Sequence, residues 1–150
     1  MAPQDWKEVE AVLGYPYGRV RLRADDHVIT LVIERGKGLR YVVAVYIDGV
    51  IEWGKTMRPE VDAVERKFWR CRRVFLFGQK ERANMAAMAK KRGLPAEIKA
   101  SYARQAEAGF EMLDPTFTSG KAACRHLRKT CAQVERLPDY EEAPAVEPAQ

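Results

Sequence analysis

Arg19, Arg21 and Arg23 alternate along one short stretch, with Val20, Leu22 and Ala24 between them and after them. A side-chain period of two puts all three guanidiniums on one face of a strand, about 7 Å apart. That spacing suits successive phosphates of a nucleic-acid strand, or a row of carboxylates, because a guanidinium forms charge-assisted, bidentate hydrogen bonds with either. With Tyr41 expected on the same face, these residues make the first candidate binding surface. The competing reading is an edge strand guarded by charge against pairing with another chain.

A second cluster is Arg66-Lys67-Phe68-Trp69-Arg70-Cys71-Arg72-Arg73. Arg70, Arg72 and Arg73 could grip phosphates while Trp69 stacks on a base. Otherwise the segment is an amphipathic helix end, with Phe68 in the core and its bases near the negative C-terminus. The third cluster lies near the end of the chain. Cys124, Leu127, Cys131 and Val134 recur at threes and fours, which marks the buried stripe of a helix, and Lys121, Arg125, Arg128 and Lys129 occupy the opposite face. Such a face can lie along a nucleic-acid backbone or be simply solvated, and it carries no recognised DNA-reading motif. Ser119-Gly120-Lys121 at the helix start could hold an anion. It is not a phosphate loop, because the upstream glycine is missing.

Catalytic readings are poorer. A metal site needs three or four clustered ligands. The chain offers only His27, His126, Cys71, Cys124 and Cys131 besides its carboxylates, with no CxxC pair. Cys124 and Cys131 sit two helical turns apart, about 10 Å, too far for a disulfide. His27 beside Asp25 and Asp26 is explained by a polar hairpin tip. Cys71 lies among arginines that favour a thiolate, but a nucleophile needs a base within reach and the sequence places none beside it. The expectation is a protein that is not an enzyme, with no metal and no cofactor.

The 150-residue chain has the length of one domain, with 47% hydrophobic and 31% charged residues. That usage supports a real core. No apolar run approaches the roughly 20 residues of a membrane span, and the first residues lack a secretory pattern. The expected setting is a cytoplasm, with no membrane partner. The net charge is +5. Residues 137–150 carry acids and prolines without a base and read as a disordered acidic tail, leaving 1–136 as a single, more basic domain. A basic body favours nucleic acid or an acidic protein as partner.

Periodicity and turns predict an α+β fold. Asp5 as cap, with Glu8 three residues on, opens a helix to Gly14 that buries Trp6, Val9 and Leu13. Four strands follow, Arg19 to Ala24, His27 to Glu34, Leu39 to Ile47 and Val50 to Trp53, joined by Asp25-Asp26, Arg35-Gly36-Lys37-Gly38 and Asp48-Gly49. Stepping outward from each turn gives one apolar face: Val20, Leu22, Ile29, Leu31 and Ile33, with Val42, Ala44 and Tyr46, then Ile51 and Trp53. A helix opening at Thr56 to Glu60 and lined by Val61, Val64 and Phe68, a short strand or connector within 71–78, and helices over 79–92, 95–113 and 119–136 complete the chain. The predicted architecture is a four-stranded antiparallel β-meander with an N-terminal helix and a C-terminal group of three to four helices packed on one face.

Several strings occur together: Tyr15-Pro16-Tyr17-Gly18 with Val20 and Leu22; Thr30-Leu31-Val32; Tyr41-Val42-Val43-Ala44-Val45-Tyr46-Ile47-Asp48-Gly49; Phe77-Gly78-Gln79-Lys80 with Arg82-Ala83; and Phe117 with Ser119 before Arg125-His126-Leu127-Arg128-Lys129. This pattern, spanning most of residues 6 to 130, resembles a group of small uncharacterised proteins encoded by bacteriophages and prophages of proteobacteria. The resemblance brings no catalytic residues. It implies an infected bacterial cytoplasm and an accessory protein that works by binding, as anti-CRISPR proteins do on host defence complexes. The expected function is therefore to bind and block a host protein or nucleoprotein complex, with direct binding of DNA or RNA through the same basic residues as the alternative. The sequence leaves the oligomeric state open.

Overall fold

Asp25 and Asp26 both adopt positive φ, 44° and 72°, the left-handed conformation that a two-residue hairpin turn of matching twist requires. They join β1 (Arg19–Ala24) to β2 (His27–Arg35), and the register follows the turn: Ala24 faces His27, Leu22 faces Ile29 and Val20 faces Leu31. The computed structural model describes residues 1–57 and 59–139, and in it the chain is an α+β protein with antiparallel sheets.

The second hairpin departs from expectation. Gly36–Arg40 forms a five-residue loop, closed by Gly36 N–H donating to the Arg40 carbonyl at 2.8 Å, and β3 (Tyr41–Ile47) begins after it. Leu31 therefore faces Val45, and Arg35 faces Tyr41. The shift relative to the predicted pairing is an odd number of residues, which turns every β3 side chain to the other face. Val43 and Val45 enter the core, while Val42, Ala44 and Tyr46 turn away from it.

The predicted fourth strand does not form. Asp48 and Gly49 make their turn, but its only pairing is a single bridge between Ile47 and Val50. The Asp48 carboxylate accepts from Val28 N–H at 2.9 Å and from His27 Nδ1 at 3.0 Å. This pins the turn to β2 and sends the chain off the sheet, so that Trp53 sits exposed in a 3-10 turn rather than in the core. The place beside β3 is taken by β6 (Thr116–Phe117), and β7 (Val134–Arg136) adds to β1 on the far side. The sheet order is β6-β3-β2-β1-β7.

One face of this sheet is covered. Helix α1 (Pro3–Val12) buries Trp6 and Val9, α2 is a single turn (Glu65–Phe68), and α5 (Gly120–Thr130) buries Ala123, Cys124 and Leu127. They close over Val20, Leu22, Ile29, Leu31, Val43 and Val45. Helix α1 starts two residues before the expected cap: Pro3 opens it, and the Asp5 carboxylate accepts from Ala2 N–H at 2.9 Å. The helix predicted from Thr56 is reduced to α2, with Val61 left 92% exposed.

The remaining elements leave the sheet. β4 (Arg70–Phe75) pairs with β5 (Gly109–Asp114) as a separate ribbon, and between them α3 (Gln79–Ala89) and α4 (Ala96–Glu107) pack chiefly on each other. The helix predicted over 95–113 thus ends at Glu107, because Phe110, Met112 and Leu113 pair with β4. Gly109 is required at the join, since any Cβ there would collide with the Val74 carbonyl. Leu113 anchors the ribbon in the core. At its far end the Arg82 guanidinium lies 3.2 Å over the Phe75 ring and donates to the Ala106 carbonyl at 2.9 Å, and so fixes the helical hairpin to the ribbon. The predicted group of helices on one face is therefore divided, with α2 and α5 on the sheet and α3 and α4 on an arm.

The last predicted helix also ends early, at Thr130. Asp25 explains this: its carboxylate accepts from Ala132 N–H at 2.9 Å and Gln133 N–H at 2.8 Å, and from Lys67 Nζ at 3.0 Å. These bonds draw the chain into β7, and Leu137 extends the contact by donating to the Arg21 carbonyl. Residues 140–150, most of the expected acidic tail, lie outside the described residues. The two backbone N–H groups, with Lys67, hold the Asp25 carboxyl at about 2, below its ordinary 3.8. A depressed carboxyl stabilises the fold in full above its unfolded pKa, and that contribution is lost as pH falls from about 4 towards 2. Asparagine tolerates the positive φ, so Asp25→Asn leaves the turn unstrained while it removes the charge and one of the two acceptor oxygens. The variant should melt below the wild type at pH 7, with the gap narrowing between about pH 4 and pH 2 in a thermal-melt series. A constant gap would assign the latch to something other than this carboxylate.

Candidate functional site

The arginine row points away from the covered face, since Val20, Leu22 and Ala24 between them are fully buried. Arg19 and Arg23 are exposed. Arg21 is only 8% exposed, and its Nη1 donates to the Pro138 carbonyl at 3.3 Å. β7 flanks the strand along Leu22, Arg23 and Ala24, so that half is not an edge. Both sequence readings of the row are thus narrowed: β7 covers the Arg23 end of the strand, and its middle arginine is occupied by the chain's own C-terminal segment. Tyr41 does not join the row. The β3 register puts it on the opposite, helix-covered side, half exposed beyond the end of the core.

The second cluster is consumed by the fold. Trp69 is 1% exposed, and its indole Nε1 donates to the Val45 carbonyl at 3.0 Å, so it is a core residue and not a stacking platform. Arg70 donates to Asp114 at 2.7 Å, and Arg72 lies 4.0 Å from the same carboxylate. Burial works against the ionised Asp114, but the Thr116 hydroxyl and N–H and the Arg70 guanidinium outweigh it and hold the carboxyl below its ordinary value. Arg73 caps the end of α4 by donating to the Glu107 carbonyl at 2.7 Å. Arg66 and Lys67 pair with Glu111 and Asp25.

The third cluster is different. Ser119 caps α5 by accepting from Ala122 N–H at 3.1 Å, and the helix then runs with its apolar stripe on α1 and the sheet. Lys121, Arg125, Arg128 and Lys129 stand together on the outer face, lining one shallow groove with Glu10 of α1. All four are exposed, and none forms an ion pair among the described residues. Steps of four residues along an α-helix advance about 6 Å, close to the repeat of a nucleic-acid backbone. The groove continues past the N-terminus of α5 into a cleft of about 430 Å³ that Glu10 and Lys121 also line, together with Tyr15, Tyr41, Leu13 and Ile33. The structure therefore places Tyr41 in one cleft with Lys121 of α5 and separates it from Arg19, Arg21 and Arg23.

Sequence reasoning missed two features. Tyr15, on the loop after α1, is 71% exposed beside the cleft; an aromatic in a Pro-Gly loop with no apolar periodicity was the available signal. Lys90, Lys91 and Arg92 form the exposed turn of the α3–α4 hairpin, three consecutive cations visible in the sequence as a charge run.

Among the described residues, no group of three or more His, Cys, Asp or Glu side chains could hold a metal ion, and no helix is long and apolar enough to cross a membrane. Burial pushes the Cys124 thiol up to about 12, and holds the His126 imidazole below its ordinary value beside Phe117. Cys71 is exposed on β4. Comparison with known protein families, characterised proteins and solved structures finds no match to this chain.

Proposed function

We propose that this chain is a non-enzymatic accessory protein that grips the nucleic acid of a host nucleoprotein complex and blocks it, as the likeness to small phage proteins implies for an anti-CRISPR-like protein. The observation that carries this reading is the outer face of α5, where Lys121, Arg125, Arg128 and Lys129 share one groove with no carboxylate paired to any of them among the described residues, Arg128 lying 5.6 Å over the Trp6 ring. A fold that needed these charges for itself would have paired them, as it pairs Arg66, Lys67 and Arg70. Phosphates are the natural ligand: they release condensed counterions when bound, and the helix presents its cations at a matching repeat. Arg19 and Arg23, on the opposite side of the sheet, lie outside this groove. Steric cover of the complex then supplies the inhibition, and no bond need be made or broken.

Four phosphate contacts predict that log K falls with log salt at a slope of about −3 to −4. Arg125→Gln/Lys129→Gln should reduce that slope by about 2 and weaken binding roughly tenfold, because each lost contact releases one counterion fewer. Fluorescence anisotropy with labelled oligonucleotides across a salt series measures both quantities. An unchanged slope in the variant would remove α5 from the interface.

A further inference from the structure

We infer that the cleft at the N-terminal end of α5 receives an unpaired base, so that the nucleic acid this protein takes is single-stranded or looped. The inference rests on the reading of α5 as a phosphate-gripping face and adds what lies at the end of that face. The groove and the cleft share Glu10 and Lys121, so a strand laid along α5 is led directly into the cleft. The cleft has the volume of a small-ligand site. Leu13 and Ile33 make its wall apolar, and the exposed rings of Tyr15 and Tyr41 line it. Neither ring stacks on another aromatic of the described chain, and each is more than half exposed. A duplex keeps its bases stacked inside and has none to offer; a single strand can swing one out onto an aromatic ring. Glu10 at the junction repels a phosphate there but offers an acceptor to an amino group, which adenine, cytosine and guanine carry. Phosphates on the α5 cations and a base in the cleft divide the backbone and base contacts between two adjoining parts of one surface.

The experiment compares three ligands on the full chain: a single-stranded oligonucleotide, the same strand with abasic sites, and a duplex of equal length. Stacking by one base contributes roughly five- to 150-fold in affinity. The wild type should therefore bind the intact single strand tighter than the abasic strand by that margin, and tighter than the duplex. Tyr41→Ala and Tyr15→Ala should erase the preference without changing the salt slope, and Tyr41→Phe should restore it. Both tyrosines are exposed, so the melting temperature of the alanine variants serves as the control for folding. Equal binding of intact and abasic strands, with the α5 salt slope intact, would overturn the cleft and leave the backbone grip standing. No measurable binding of any of the three would overturn both.

Discussion

Trp69→Ala should lower the unfolding free energy by about 3–5 kcal/mol, the usual cost of removing a fully buried indole. Domains of this kind have only about 5–15 kcal/mol in total, so the variant should lose a large share of its stability. The size of the effect follows from where the ring sits. Trp69 ends the single turn of α2 and begins the ribbon to the arm, and its indole Nε1 donates to the Val45 carbonyl in the middle of β3. One side chain therefore joins the sheet, the short helix and the root of the arm. Trp69→Phe separates the two contributions. It retains most of the apolar contact and loses the hydrogen bond, which should cost about 1–3 kcal/mol because a buried carbonyl loses a partner. Urea denaturation of the three proteins measures the differences. A Trp69→Ala variant as stable as the wild type would reopen the stacking role that burial now denies this residue.

How far the sequence could be read depended on how local each determinant was. The β1–β2 hairpin was legible because Asp25-Asp26 sets both turn and register within a few residues. The α5 surface was legible for the same reason: helical periodicity places Lys121, Arg125, Arg128 and Lys129 on one side whatever the rest of the chain does. The failures lie where a distant partner decides. Asp48 captures His27 and Val28, twenty residues away, and so abolishes the expected fourth strand. Asp25 captures Ala132 and Gln133 and converts the end of a predicted helix into β7. Phe110 to Leu113 read as helix until β4 was there to pair with. Two strands as short as β6 and β7 carry almost no signal of their own. The candidate site inherits this division. Its cations were visible, whereas the company of Tyr41 turned on whether the loop before β3 held four residues or five.

Gly120→Val should destabilise the protein by about 3 kcal/mol or slightly more, the upper end of overpacking costs, and should weaken the proposed nucleic-acid binding at the same time. A Cβ built on Gly120 would meet the Cβ of Leu13 at 2.5 Å, with Leu13 Cδ1 at 3.2 Å. Rotamer changes can move Cδ1, but they leave Cβ where the backbone holds it. The clash is relieved only if the first turn of α5 backs away from the end of α1. That displacement is costly because Val9, Leu13, Cys124 and Leu127 are all buried in one cluster. It also separates Glu10 and Leu13 on one side of the cleft from Ser119 and Lys121 on the other. The substitution thus tests whether the close approach of two helices maintains the binding groove as well as the core. Binding should fall more for a single strand than for its abasic counterpart, because the proposed backbone contacts on Arg125, Arg128 and Lys129 lie farther along α5 and move less. Denaturation midpoints and anisotropy titrations on the same preparation give the two numbers. If stability dropped while the preference for intact single strands survived unchanged, the cleft would be independent of the α1–α5 contact, and the base would have to be held elsewhere.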